Sequence, residues 1–188
     1  MKFLSLALLL ASSVMLTNCS SDMSGNSSKT VMVGGAEMYP TKNIVENAMN
    51  SADHTTLVAA VKAANLVETL QGPGPFTVFA PTNEAFAMLP AGSVDLLVKP
   101  ENNKTLTKIL TSHVVAGRFS GDDLLKMIKD GNGTGTLTTV SGHKLYLTRQ
   151  SGAILVRDEN GGTAQVTIPN VYQSNGVIHV VNRVLIPS

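Results

Sequence analysis

The sequence contains little of what disulfide-rich or nucleic-acid-binding proteins depend on. Its 188 residues include one cysteine and no tryptophan, 4% are aromatic, and the formal net charge is +1. A single cysteine excludes an intramolecular disulfide, so the fold has to depend on its hydrophobic core. The low aromatic content and the lack of a basic stripe argue against stacking on sugars or bases. We therefore predict that no nucleic acid is a partner.

Patterns for catalysis and metal binding are also missing. The histidines His54, His113, His143 and His179 lie at least 30 residues apart, and none has a metal ligand at the usual spacing. The sequence has no Gly-x-Ser-x-Gly elbow. We predict no catalytic residue, no metal and no cofactor. His113 falls on the apolar stripe of a predicted helix and His179 in an apolar strand, so structural imidazoles bound by backbone carbonyls are preferred to ligands or catalytic groups.

The first 18 residues have the composition of a signal peptide. Lys2 precedes an apolar run over residues 3–16, which is too short to cross a bilayer but suits a signal h-region. The run leads to Leu-Thr-Asn-Cys, which resembles a bacterial lipoprotein box, although Gly, Ala or Ser usually precedes the cysteine. We predict a signal peptide at 1–18, lipid modification of Cys19 and a flexible tether at 19–40, with an optional edge strand within residues 29–40. An ordinary secretory signal with an incidental cysteine is the alternative.

Two short runs predict how the domain is built. In GPFTVFAPTNEAF at residues 74–86, a β-branched and aromatic strand is followed by Thr82 and Asn83, which suit the start of a helix. In NGVIHVVNRVLIP at residues 175–187, Asn175 and Gly176 predict a tight turn, because both residues tolerate positive φ. The apolar residues after this turn predict a strand that is buried on both faces.

Helical periodicity precedes strand alternation along the chain. Apolar residues at helical spacing begin at Ile44, and Asp122 and Asp123 are expected at the start of a later helix. Alternating segments separated by Ser-Gly and Gly-Gly then predict an antiparallel meander. This order indicates a single α+β domain at residues 41–187. The predicted second helical block comprises helices at 84–89, 93–98 and 104–115, and the predicted later strands are 136–140, 143–149, 153–158, 164–168 and 177–186.

The two runs, together with further motifs, resemble the fasciclin-like (beta-Ig-H3/fasciclin) domain. The further motifs are TLVAAV with LVETL, LTSHVVAG around His113, and TLTTVSG. They occur in the family's order across residues 41–187. The resemblance implies a wedge-shaped antiparallel β-sandwich with helices packed over one edge. It also implies a non-enzymatic adhesion and binding module.

The sequence departs from animal relatives where integrin contact is associated with the family. An acidic residue flanked by apolar ones is replaced by Pro169, Asn170, Val171 and Tyr172, and a tyrosine before the central histidine is absent. Integrin binding is therefore not expected. These four residues remain the candidate partner-binding segment, with Tyr172 as the main contact because tyrosine offers a large surface at low entropic cost. The alternative is that Tyr172 packs over the end of the sandwich.

The sequence as a whole predicts an exported, lipid-anchored binding protein of a bacterial cell envelope, most simply an outer-membrane lipoprotein. Its partner would be a cell-surface or matrix protein or a glycan. The alternative is a periplasmic or surface carrier that holds a small apolar or anionic ligand between the helices and the sandwich. A hydrolase is the least favoured interpretation.

Overall fold

A seven-stranded mixed β-sheet forms the centre of the protein, whose computed structural model describes residues 30–187. The strands are β3 (Phe76–Pro81), β4 (Val114–Ala116), β5 (Gly135–Thr138), β6 (Lys144–Gln150), β7 (Ala153–Arg157), β8 (Thr163–Gln173) and β9 (Gly176–Val181). Their order in the sheet is β4-β3-β9-β8-β7-β6-β5. Five of them, from β5 to β9, follow one another as the predicted antiparallel meander.

The expectation of a wholly antiparallel sheet is wrong at one pair of strands. β9 runs parallel to β3, with Phe76 opposite Gly176 and Pro81 opposite Val181. β9 lies between β3 and β8, and all six of its residues are buried. A central strand covered on both faces has no solvent face to carry polar residues, which explains its unbroken apolar sequence.

β8 bends the sheet into a sandwich that is nearly closed. The pairing of β8 with β9 changes register twice, between Val166 and Ile168 and again before Val171. Such irregularities bend a strand and increase its twist, so one long strand can serve both layers. The two edge strands of the sheet also approach each other: an isolated bridge joins Val115 of β4 to Thr139, just after the end of β5.

The helices cover one face of the sheet, except for the last of them. They are α1 (Ile44–Ala48), α2 (Thr55–Ala63), α3 (Val67–Gln71), α4 (Asn83–Ala87), α5 (Ser93–Leu97), α6 (Asn103–Thr111) and α7 (Gly121–Asp130), with 3-10 turns at Ala52–His54 and Pro100–Asn102. α7 packs on the other side, against β5 and β6. Its N-cap residue is Ser120, whose side chain forms a reciprocal capping box with Asp123.

Two hydrophobic cores result from strand alternation. Val78 and Ala80 of β3 belong to the first core, which lies under the helices α1–α4 and α6. Phe79, between them, points the other way into a second core. Leu124 and Ile128 of α7 complete this second core. Successive side chains of a strand point to opposite faces, so one strand contributes to both cores.

The ordered unit extends upstream of residue 41. Two short strands, β1 (Val31–Val33) and β2 (Ala36–Met38), form a hairpin whose Val33 and Met38 are 3% exposed in the first core. The backbone N–H of Tyr39 donates to the side-chain oxygen of Asn47 at 3.0 Å, and the Asn47 side-chain amide donates to the Tyr39 carbonyl oxygen at 2.8 Å. The predicted tether at 19–40 is therefore structured over the hairpin, because the hairpin's apolar residues are needed to cover the core. The predicted signal peptide at 1–18 and the predicted lipidation site Cys19 lie outside the described residues.

Three other boundaries also differ from the sequence prediction. The helix expected at 104–115 ends at Thr111, because Val114 and Val115 pair with β3 as part of β4. The strand expected at 164–168 continues to Gln173 through the register shifts, and the last strand ends at Val181 rather than at 186. Hydrogen bonding between strands sets where these elements end, and the periodicity of the local sequence does not indicate that pairing.

Candidate functional site

Asn175 joins three distant segments at the β8–β9 turn. Its side-chain oxygen accepts a hydrogen bond from the Ile44 backbone N–H at 3.1 Å. Its amide donates to the carbonyl oxygens of Leu70 and Gly72 at 2.8 and 2.9 Å. The side chain is buried and fixes the start of α1 and the end of α3 beside the sheet. The Asn175 side chain thus holds these segments together at the turn.

The expectation of positive φ at this pair is wrong, however. Neither Asn175 nor Gly176 has a positive φ. Gly176 lies against β3, and a Cβ atom there would overlap the carbonyl oxygen of Phe76. Glycine is thus required by the close approach of two parallel backbones, and left-handed geometry plays no part.

Thr82 and Asn83 connect α4 to the start of α2. Thr82 caps α4, and its hydroxyl accepts from the Ala85 backbone N–H at 3.3 Å. Asn83 accepts from the Thr56 backbone N–H at 2.9 Å and donates to the Ala52 carbonyl oxygen at 2.8 Å. The predicted helix start is confirmed, and Asn83 also fixes a second helix, a role that its local sequence does not indicate.

His113 is a structural histidine with both ring nitrogens engaged. Nδ1–H donates to the Ile109 carbonyl oxygen at 2.8 Å, and Nε2 accepts from the Leu185 backbone N–H at 2.9 Å. Burial lowers the pKa of His113 to about 4, against the opposing effect of the Ile109 carbonyl. The ring is therefore neutral at pH 7 and has no free nitrogen with which to bind a metal or transfer a proton.

His179 meets the candidate partner-binding segment inside the domain. Its Nε2–H donates to the Phe119 carbonyl oxygen at 2.9 Å, and its Nδ1 accepts from the Asn170 backbone N–H at 3.3 Å. The ring stacks on Phe79 with centroids 5.7 Å apart. Burial lowers the pKa of His179, so this imidazole is also a neutral support for the irregular part of β8.

The candidate segment divides into internal and external residues. Val171 is 1% exposed in the first core, so its side chain is not available to a partner and the expectation fails for it. Asn170, at φ +61°, accepts a hydrogen bond from the Gly121 N–H at 2.6 Å. Pro169 is exposed and Tyr172 is half-buried. Asn170 is half-buried like Tyr172, so Val171 is the one residue of the four whose side chain is withdrawn from a partner.

A narrow cavity of about 70 Å³ lies beneath α2, between the helices and the sheet. Its lining is almost wholly apolar and includes His54, which is 3% exposed. Nδ1 of His54 is 2.9 Å from the Ser51 hydroxyl, whereas Nε2 has no hydrogen-bond partner among the described residues. Burial lowers the pKa of His54, opposed by the nearby carbonyl of Ala80 and the charge of Asp53. No sequence pattern indicates this cavity, since it depends on the packing of α2 over the sheet.

A second concavity, of about 470 Å³, is open and cationic. We call it the α7 hollow; it lies where α7 meets β6, and Lys126, Lys129 and Arg149 are exposed around it. Leu125 and Ile128 form part of its floor. Three cations around one depression favour contact with an anionic surface.

Comparison with known proteins decides the family. Residues 52–187 match the family model of the fasciclin domain. The chain belongs to the fasciclin domain family. Its relatives include protein sll1483 of Synechocystis, 43% identical over 159 residues, or 85% of this chain and 81% of that protein. Immunogenic protein MPB70 of Mycobacterium bovis is 34% identical over 174 residues, or 90% of this chain and 80% of that protein.

The fasciclin fold is confirmed by a solved structure. A fasciclin domain pair from the insect cell adhesion molecule fasciclin I superposes with a TM-score of 0.69 and 18% sequence identity. The match covers 78% of this chain and 51% of the pair. The protein thus contains a domain with the fasciclin fold. Within residues 30–187, no group of His, Cys, Asp and Glu is arranged to hold a metal ion, and no helix has the length and apolar character of a membrane span.

Proposed function

We propose that this protein is exported to a bacterial cell envelope, is anchored there through lipid on Cys19, and binds a protein or glycan partner without catalysing a reaction. The observation that carries the proposal is the fasciclin family match over residues 52–187, since this domain also forms the insect cell adhesion molecule fasciclin I. The lipoprotein-like box supports an outer-membrane lipoprotein. The structural histidines support a binding role over a catalytic one.

For a protein partner, Pro169 and Tyr172 form the candidate contact. Both lie on the irregular half of β8, which Asn170 and His179 hold in place from inside. A partly exposed tyrosine on a rigid strand supplies contact area without ordering a loop. The partner surface is thus built on the element where the two layers of the sandwich join.

The experiment is a binding assay with labelled full-length protein carrying Cys19→Ala, applied to cells of the producing bacterium. Saturable binding that falls at least roughly tenfold with Tyr172→Ser is expected, as for an aromatic interface residue that contributes about 1.4 kcal/mol or more. Tyr146→Ser is the matched control, because Tyr146 is also a half-buried strand tyrosine, on β6. Equal binding by both variants would remove Tyr172 from the contact.

For a glycan with acidic groups, the α7 hollow is the better candidate. Its cations would meet carboxylate or sulfate groups, and such binding weakens as salt rises. Heparin serves as the probe, and Lys126→Gln with Lys129→Gln is expected to abolish retention on heparin. The control pair is Lys99→Gln with Lys104→Gln, which removes the same charge elsewhere. Retention unchanged by the first pair would exclude the hollow as a glycan site.

A further inference from the structure

The outward face of the β1–β2 hairpin carries exposed apolar side chains beside the point where the described chain begins. Residues that enter the first core alternate along the hairpin with Met32 and Glu37, which are opposite each other in the pairing and point away from that core. The Tyr39 hydroxyl donates to the Glu37 carboxylate at 2.7 Å, so Tyr39 lies on the same face. Met32 is 58% exposed and Tyr39 is 40% exposed. The hairpin therefore presents methionine and tyrosine surface to solvent.

Lys42 completes this surface, which we call the hairpin face and define as Met32, Glu37, Tyr39 and Lys42. The Lys42 ammonium group lies 5.1 Å from the centre of the Tyr39 ring. One carboxylate and one ammonium group balance each other, so the face has no net charge. Tyrosine and lysine each combine an apolar body with a polar tip, and such side chains are favoured where hydrocarbon meets water. This chemistry fits the surface of a zwitterionic phospholipid bilayer, whose headgroups also pair a negative group with a positive one.

The length of chain before the hairpin indicates what can reach this face. Only residues 20–29 separate Cys19 from Thr30, which directly precedes β1. A Ser/Gly-rich linker of about ten residues has a root-mean-square span of about 16–19 Å. A compact domain of the size of residues 30–187 has a diameter of about 40 Å. Lipid on Cys19 would therefore keep the hairpin nearer to the bilayer than the far side of the domain.

We propose that the hairpin face docks on the phospholipid bilayer that holds the lipid of Cys19, with Met32 and Tyr39 in the headgroup region. This inference rests on the lipid anchor of the proposed function. A surface with two apolar side chains is too small to hold a protein on a membrane from solution. It is sufficient once the tether is in place, because the contact is then intramolecular and its effective concentration is high.

Docking through this face leaves the candidate partner surfaces accessible. The hairpin lies on the helical side of the sheet, where its apolar residues enter the first core. Tyr172 alternates with Val171, a residue of that core, so its side chain points to the other side of the sheet. α7 also packs on that other side, against β5 and β6. Tyr172 and the α7 hollow are thus on the side of the sheet opposite to the hairpin, where a partner can approach them.

Tryptophan fluorescence tests the proposal, because the chain has no tryptophan of its own. Met32→Trp places one reporter on the hairpin face. Ile186→Trp is the control, since Ile186 is also exposed, at 44%, and its backbone N–H donates to Asp158, before the start of β8. The hairpin packs near the opposite end of that strand, where Asn47 contacts Gln173.

Each variant is extracted from membranes of the producing bacterium and reconstituted into phosphatidylcholine vesicles, with and without bromine on the acyl chains. Flotation of the vesicles measures anchoring, and bromine quenches a tryptophan that touches the lipid. We expect the emission of Met32→Trp to be quenched and shifted to shorter wavelength, while that of Ile186→Trp is unchanged. Adding Tyr39→Ser to Met32→Trp is expected to reduce the quenching, whereas adding Tyr146→Ser is expected to leave it as it was.

The failures of the anchor and of the hairpin face give different results. Protein that floats with the vesicles without quenching of Met32→Trp overturns the docking and leaves the lipid anchor intact. Equal quenching of Met32→Trp and Ile186→Trp also overturns the docking, because the domain would then have no preferred face. Protein that does not float overturns the anchor, and the docking with it.

Discussion

The His113 imidazole accepts a hydrogen bond from the backbone N–H of Leu185 at 2.9 Å, across 72 positions of sequence. The same ring donates to Ile109 in the last turn of α6. Leu185 lies beyond the last strand, in the second core. One neutral side chain thus joins the helical layer to the end of the domain.

Stability is expected to fall as pH drops from about 6.5 to about 4. The pKa of His113 is about 4 in the folded protein against an ordinary value of 6.5, so in this interval the unfolded chain binds the extra proton. The free energy of unfolding is therefore highest above pH 6.5, and the contribution of His113 that is lost below about pH 4 amounts to about 3 kcal/mol. Burial lowers the pKa values of His54 and His179 in the same direction.

Urea unfolding at pH 7.5 and at pH 4.5 measures this dependence. His113→Gln removes the titrating group and is expected to be less stable at pH 7.5 and less sensitive to pH. His143→Gln is the control, because His143 is partly exposed beside Glu159 and lies outside both cores. Equal unfolding free energies at the two pH values would contradict the assignment of buried neutral imidazoles.

Gly176→Ala is expected to destabilise the domain by about 3 kcal/mol or more, as overpacking against a fixed backbone does. The added methyl group would overlap the Phe76 carbonyl oxygen on the parallel neighbour strand. The control is Gly161→Ala, where a Cβ meets no atom within 4 Å and only the φ of +87° is unfavourable. Thermal unfolding compares the two. Similar losses would mean that the approach of β3 and β9 is not what requires glycine.

Met38→Ala is expected to cost about 2–5 kcal/mol, since Met38 is 3% exposed in the first core. Met32→Ala, in the same hairpin, is expected to change stability by less than about 0.5 kcal/mol, because Met32 is 58% exposed. Chemical denaturation of both variants measures the contribution of the hairpin. If Met38→Ala is as stable as Met32→Ala, the hairpin is not part of the cooperative unit.

Local patterns in the sequence predict the strands better than they predict the contacts between distant strands. The alternation of β5 to β7 follows from one buried and one exposed face, so it is visible in the sequence. The parallel pairing of β3 with β9 is not visible in the sequence, because both strands are apolar and their composition does not indicate which strand pairs with which. The hairpin at Val31–Met38 resembles tether in the sequence, since its three-residue strands are too short for a clear period.

The candidate sites show the same division. Structural roles for Thr82, His113, Asn175 and His179 are predictable from residue type and local pattern. The unsatisfied Nε2 of His54 is not, because it results from the position of α2 over the sheet. The α7 hollow is likewise not predictable, because Lys126 and Arg149 are distant in sequence and meet only where α7 packs against β6.

The most direct test of an envelope-anchored binding protein is the intact mass of the native protein extracted from membranes, measured beside a Cys19→Ala variant after protease treatment of whole cells. We predict a mature chain that begins at a lipid-modified Cys19 and is cleaved on intact cells, with the variant lacking the lipid mass. An unlipidated chain that is protected from protease would contradict this prediction and would favour a soluble carrier.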